Sequence, residues 1–358
     1  MTIAPPETAV ATKLSTLDRY LPVWIGLAMV LGLGLGRALP DLNDWLDTFK
    51  VGTVSLPIAV GLLAMMYPVL AKVRYTRIGE QLTDRRTLGL SLVTNWIIGP
   101  ALMFALAWTF LHNLPELRTG LIIVGLARCI AMVLIWNDMA CGNRELGAVL
   151  VAVNSVFQIV MYAVLGWFYL TVLPGWLGLE TEALNVSIWE IARSVLVFLG
   201  IPLLAGYLTR TIGEKRRGTL WYEEKFLPRI GPVALYGLLF TIVVLFALQG
   251  EQITDRPTDV ARVAVPLLIY FAVMWAGTFI TGYKLGLPYD RNASVAFTAA
   301  GNNFELAIAV AIGVFGVTSG QALAGTIGPL IEVPVLVALV YVALWARKRF
   351  YPVGKPAA

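Results

Sequence analysis

Along the chain, long apolar runs alternate with short polar connections. A membrane-spanning helix needs roughly 20 predominantly apolar residues. Runs of that kind fall at 20–39, 52–71, 88–111, 119–137, 146–170, 188–209, 231–249, 262–284, 293–315 and 322–346, which predicts an all-α integral membrane protein of about ten spans. Two of the runs are not uniformly apolar. The fourth carries Gly-Leu-Ala-Arg-Cys at 125–129 and the ninth Ala-Ala-Gly-Asn-Asn at 299–303, so glycine and polar residues sit at mid-span. Irregular backbone at that depth persists only inside protein or beside a water-filled cavity. The pattern therefore predicts that helices four and nine are interrupted and cross near the midplane, with a polar site at the crossing.

The same runs suggest an internal repeat. A shift of about 174 residues lays Arg128 and Cys129 over Asn302 and Asn303, Asn154 over Gly328, and Gln158 over Glu332. Further upstream, LPIAVGLL at 56–63 resembles GPVALYGLL at 231–239. One shared offset makes a repeat of two five-helix units. Five is odd, so the second unit enters the membrane from the opposite side, the inverted arrangement of many secondary transporters. The expected organisation is a tail over 1–19, a first repeat over 20–171, a second over 188–346 and a tail over 347–358.

Composition supports this class. The chain of 358 residues is 58% hydrophobic and 14% charged, with a mean hydropathy of +0.76, which excludes an ordinary soluble domain. The most basic connections, 72–86 and 210–229, and the basic segment RKRFYPVGK fall on one side of a ten-span topology. The positive-inside rule makes that side, and both termini, cytoplasmic; the expected location is the plasma (inner) membrane, as a multi-pass protein. The net charge of +5 then reflects topology, and no basic array with interleaved aromatics suggests nucleic acid. With one histidine, His112, at the edge of span three, neither a zinc site nor a Ser/His/Asp triad is expected. No phosphate-binding loop is present, no cofactor is implied, and the driving energy is expected from an ion gradient or a partner.

The intramembrane polar residues carry the candidate chemistry. Arg128 at mid-span costs a few kcal/mol to insert. It reads equally as a ligand contact or as half of an ion pair with Glu305 or Glu332. Cys129 by itself is a small buried hydrophobe, but a neighbouring guanidinium favours the thiolate and suits a thiophilic element. Glu305 is the strongest candidate for carrying a proton, and Glu332, flanked by Pro329 and Pro334, either shares that role or neutralises Arg128. Asn154, Asn302 and Asn303 either join helices or contact substrate. Arg193 is expected to snorkel to the interface.

The stretches 127–162, 297–316 and 325–345, with their Arg-Cys and Asn-Asn-Phe-Glu motifs, closely resemble the arsenical-resistance type of arsenite efflux permease, within the bile/arsenite/riboflavin transporter superfamily. The resemblance runs over essentially all ten spans. It implies a secondary carrier, not an enzyme, that exports arsenite across the bilayer in exchange for protons, and in some members antimonite as well. On that resemblance the essential thiol is Cys129 and the essential acid Glu305, with Arg128, Trp136, Asn154, Phe297, Asn303 and Glu332 as further signature positions. A chelating arsenic site wants three thiolates, yet Cys141 lies twelve helical residues, about 18 Å, from Cys129. One thiol with hydrogen-bond donors instead gives reversible capture. The alternatives are a sodium-coupled symporter for an organic anion and a passive arsenite channel. An ATPase subunit docking on the basic cytoplasmic loops stays open.

Overall fold

The computed structural model describes residues 20–351 apart from 40, 43–47, 52–53, 74–83, 131, 180–186 and 256. Both expected tails and most of the basic connection 72–86 lie outside the described residues, apart from 347–351, which continue the last helix and end in a bend.

Among the described residues the regular elements are helices apart from a two-residue antiparallel pairing of β1 (Lys50–Val51) with β2 (Val54–Ser55). Helix α1 spans Leu21–Ala38 and α2 Leu56–Ala71. Helix α3 runs Arg85–Phe110 through a π turn at Thr94–Ile98. The fourth span is split into α4a (Pro115–Leu126) and α4b (Val133–Met139). Helices α5 (Arg144–Trp176) and α6 (Ile188–Arg217) follow, then α7 (Leu227–Asp255) and α8 (Pro257–Lys284). The ninth span is split into α9a (Tyr289–Ala300) and α9b (Phe304–Phe315), and α10 runs Gly320–Phe350. The protein is a multi-span membrane protein of about ten helices, interrupted in spans four and nine as the sequence pattern predicts.

Local chemistry sets the ends of these elements. Side-chain oxygens of Asp84, Asn143, Ser187, Asn303 and Ser319 accept hydrogen bonds from first-turn amides of α3, α5, α6, α9b and α10, satisfying donors that a helix start leaves open. The segment 210–229, expected as a connection, is largely helical. Helix α6 continues to Arg217, the chain turns at Gly218 with φ of 83°, and helix resumes at Thr219. Lys215, Arg216 and Arg217 occupy the last turn of α6, where the helix dipole favours cations. Pro329 and Pro334 lie within α10, which remains continuous.

Two groups of helices result. Helices α1 and α2 pack on α7, and α2 also packs on α6. In the second group α4a lies against α3 and α10, α9a against α8 and α5, and α3 against α8. Helix α6 joins the groups by packing on α5 and α9b. Close approach within the first group depends on glycine at 32 and 206, 174 residues apart. A Cβ on Gly32 would lie 2.6 Å from the Val243 carbonyl of α7, and one on Gly206 2.8 Å from the backbone at Leu70–Ala71 of α2. The half-helices α4a and α9a begin at 115 and 289 and end at 126 and 300, the same interval.

Candidate functional site at the helix crossing

Where α4a ends, Ala127 takes extended backbone (φ −84°, ψ 121°), and where α9a ends Gly301 does the same (φ −71°, ψ 143°). The two extended segments meet as an antiparallel bridge pairing Arg128 with Asn302. The Cys129 amide donates to the Gly301 carbonyl at 3.2 Å, and the Asn303 amide to the Ala127 carbonyl at 3.1 Å. The outer amides of the bridge are also taken. Gln158 Oε1 accepts from the Arg128 amide at 2.9 Å, and Glu332 Oε1 from the Asn302 amide at 3.1 Å. The pairs 128/302 and 158/332 are both separated by 174 residues, the interval between α4a and α9a.

Successive side chains on extended backbone point to opposite faces, and that alternation sorts the site. On one face Asn302 Nδ2 donates to the carbonyls of Val124 (2.8 Å) and Ala127 (3.1 Å), and Arg128 Nη2 donates to Gly125. These bonds satisfy carbonyls freed at the end of α4a. The guanidinium also donates from Nη1 to the Tyr270 hydroxyl of α8 at 2.7 Å. Gly99, just after the π turn of α3, makes room for it, since a Cβ there would lie 2.7 Å from Nη1. Among the described residues Arg128 forms no ion pair with a carboxylate. The expected alternative of a salt bridge to Glu305 or Glu332 is absent. A helix C-terminus and a phenol hold the cation instead, which fits the favourable placement of positive charge at that end of a helix.

On the other face Cys129, 3% exposed, lies against Gly301, whose added Cβ would sit 3.0 Å from Cys129 Cβ and 3.4 Å from Glu332 Oε1. Neither cysteine forms a disulfide. Asn303, fully buried, uses Oδ1 to cap α9b through the Leu306 amide at 3.0 Å. Two residues on, Glu305 occupies the first turn of α9b and is only partly buried, whereas Glu332 is enclosed at 1% exposure. Gln158 links Asn154 to the crossing by donating to its carbonyl at 3.3 Å. The expected residues Arg128, Cys129, Asn303, Glu305 and Glu332 thus converge, and Asn154 is buried one turn of α5 before Gln158. Phe297 lies one turn before the break, its carbonyl accepting from Gly301 and its ring edge-on to Trp275 at 6.0 Å. Trp136 is buried in α4b, one turn past the other break.

Buried polar atoms without a partner gather here. They are Arg128 Nε, Asn154 Nδ2, Asn302 Oδ1, Asn303 Nδ2 and the indole nitrogen of Trp136. Such atoms carry a desolvation cost; Arg128 Nε and Asn302 Oδ1 belong to the face that holds the break together, and Asn303 Nδ2 is the open donor on the face of Cys129. No group of three or more His, Cys, Asp or Glu side chains gathers at metal-binding distance among the described residues. Tyr270 and Gly99 are the positions that motif reading misses. The available signal is a phenol at the middle of α8 and a Gly-Pro step inside α3.

A helical bundle whose two broken helices cross at a buried, amide-rich site has the architecture of membrane transporters. The chain matches the Sodium Bile acid symporter family over residues 59–256. It is 61% identical over 352 residues to the arsenical-resistance protein Acr3 of Corynebacterium glutamicum, covering 98% of this chain and 95% of that one. It is 32% identical to Acr3 of Alkaliphilus metalliredigens over 350 residues, 94% and 95% of the two chains, and 37% identical to an uncharacterised transporter of Synechocystis over 357 residues, 94% and 91%. The chain therefore belongs to the bile acid symporter family and, within it, to the Acr3 arsenical-resistance transporters.

Proposed function

We propose that the protein exports arsenite, As(OH)₃, from the cell in exchange for protons. The observation that supports this most is a single thiol, Cys129, buried on the same face of the crossing as the unpartnered amide of Asn303. Thiolate ligands suit a soft element. Attack of the Cys129 thiol forms one S–As bond, breaks one As–O bond and releases the thiol proton with the departing hydroxyl as water. The remaining two hydroxyls are held by Asn303 Nδ2 and Asn154 Nδ2. Water reverses the capture, so one thiol permits release where three would trap. Arg128 and Asn302 act from the opposite face by fixing the end of α4a. Trp136 and Phe297 wall the site.

Glu305 carries the exchanged proton. It stands partly open in the first turn of α9b, while Glu332 holds the Asn302 amide and adds a second acid close enough for the two charges to interact. The two halves, 20–171 and 188–346, form inverted repeats whose relative movement exposes the crossing to each side in turn. Both termini lie in the cytoplasm and the membrane is the plasma (inner) membrane. Antimonite, the heavier congener, fits the same chemistry.

The test is growth on arsenite in a host lacking its own exporter. Wild-type protein is expected to restore growth, and Cys129→Ser, present at equal membrane levels, to fail. Full protection by Cys129→Ser would remove the thiol from substrate binding. Sodium-dependent uptake of an organic anion, unaffected by arsenite, would replace the reading with the sodium-coupled one.

A further inference from the structure

A feature remote from the crossing calls for its own ligand. Between α2 and α7 the membrane-facing surface holds an apolar groove of about 530 Å³, lined among others by Leu56, Val60, Gly61, Val233, Tyr236 and Phe240. One turn of α7 before the lining residue Val233, Arg229 is exposed, and Lys72 Nζ lies 3.9 Å from where a Cβ on Gly231 would be. Neither Lys72 nor Arg229 pairs with a carboxylate among the described residues. The nearby acids Glu214 and Glu223 are both engaged by Arg210, each at 2.9 Å. Next along the surface, Leu220 is 74% exposed and Arg217 stacks over Trp221 at 4.6 Å, a pairing suited to a membrane interface.

We propose that this groove binds one anionic phospholipid of the cytoplasmic leaflet, its acyl chain between α2 and α7 and its phosphate at Lys72 and Arg229. Eleven helical residues from Arg229 to Phe240 rise about 16 Å. Half of a hydrocarbon core is about 15 Å thick, so the distance from basic mouth to apolar floor matches one leaflet. The groove lies on α2 and α7, away from α4 and α9, and so the lipid anchors the first helix group. The leaflet assignment rests on the orientation proposed above, whereas the groove and its charge do not.

The experiment is native mass spectrometry of the full chain in detergent, titrated with phosphatidylglycerol or phosphatidylcholine. Wild type is expected to retain one phosphatidylglycerol with at least about tenfold preference over phosphatidylcholine, from two basic contacts. The double variant Lys72→Gln/Arg229→Gln should lose that preference, and Ala64→Phe, which fills the groove, should lose both lipids. Equal retention of the two lipids by wild type, or an unchanged preference in the double variant, overturns the proposal. So does a chain dimer that Ala64→Phe dissociates, since a second copy would then occupy the groove. Labelling of Lys72→Cys by an impermeant maleimide in inverted vesicles only supports the leaflet, and labelling in intact cells overturns it. None of these readouts depends on arsenite transport.

Discussion

Arg128 and Asn302 face each other across an antiparallel bridge at the centre of the bundle, and each has its amide held by a side-chain oxygen thirty residues further along, on Gln158 and Glu332. The bridge joins two broken helices through main-chain bonds, sending the side chains of Cys129 and Asn303 to one face and those of Arg128 and Asn302, which hold the break together, to the other.

The Tyr270 hydroxyl accepts from the buried Arg128 guanidinium. Tyr270→Phe keeps the ring and leaves Nη1 unsatisfied, at a cost of about 1.5–3 kcal/mol for a hydrogen bond to a charged group. Thermal unfolding of the purified variant is expected to fall by several degrees. An unchanged melting temperature would mean that the phenol does not carry the cation.

Gly301 separates Cys129 from Glu332. Its φ of −71° suits any residue, so Gly301→Ala tests contact alone. The new methyl meets Cys129 Cβ at 3.0 Å. Overpacking of this kind costs about 1–3 kcal/mol. The variant is expected to reach the membrane but transport arsenite at least ~10-fold more slowly, equivalent to about 1.4 kcal/mol. Uptake assays beside membrane quantification check this, and wild-type rates would contradict a tight ligand face at Cys129.

Much of this arrangement is legible in the sequence, and its gaps have physical reasons. The apolar runs give the spans, because insertion demands length and apolarity, and the glycines and amides at 125–129 and 299–303 locate both breaks. The ends of helices are not legible in the same way. Helix α6 extends eight residues past its apolar run to Arg217, and α8 starts five residues before its own at Pro257, since a helix leaving the bilayer keeps its hydrogen bonds without needing apolar side chains. The adjacency of Arg128 and Cys129 misleads most. On extended backbone neighbours diverge, so the guanidinium reaches Tyr270 while the thiol reaches Gly301. A mid-span phenol is the one local sign of Tyr270, and nothing in it tells of Arg128, 142 residues away.

Asp84 caps α3 and binds Arg291 of α9a at 2.6 Å, tying two helix starts together. Burial opposes its ionisation, but hydrogen bonds from Thr87 and the Arg291 charge outweigh burial and hold its carboxyl below the usual carboxylate range. A depressed folded-state value gives stabilisation that is complete above the ordinary value and lost as pH falls through the folded one. Asp84→Asn, which can still cap, should cost under about 1 kcal/mol at neutral pH because the pair is partly exposed. Asp84→Ala should cost about 1–2 kcal/mol by losing the cap as well. Melting curves from neutral to acid pH are expected to converge with wild type only below the usual carboxylate range. Convergence at neutral pH would deny the link.

Glu305→Gln keeps the shape of the side chain and removes its proton. Arsenite binding is expected to persist, read by intrinsic tryptophan fluorescence, while exchange ceases to respond to pH. Glu332→Gln leaves the oxygen that accepts from Asn302 and should retain the fold. A pH response surviving in Glu305→Gln and absent in Glu332→Gln would exchange the roles of the two acids.

The most direct measurement is arsenite accumulation in everted membrane vesicles without sodium or ATP, while a pH gradient is imposed and then collapsed. Accumulation should rise with the gradient, dissipate when it is collapsed, and be absent in Cys129→Ser. Accumulation indifferent to the gradient, or equal in Cys129→Ser, would contradict proton-coupled export through the thiol at the helix crossing.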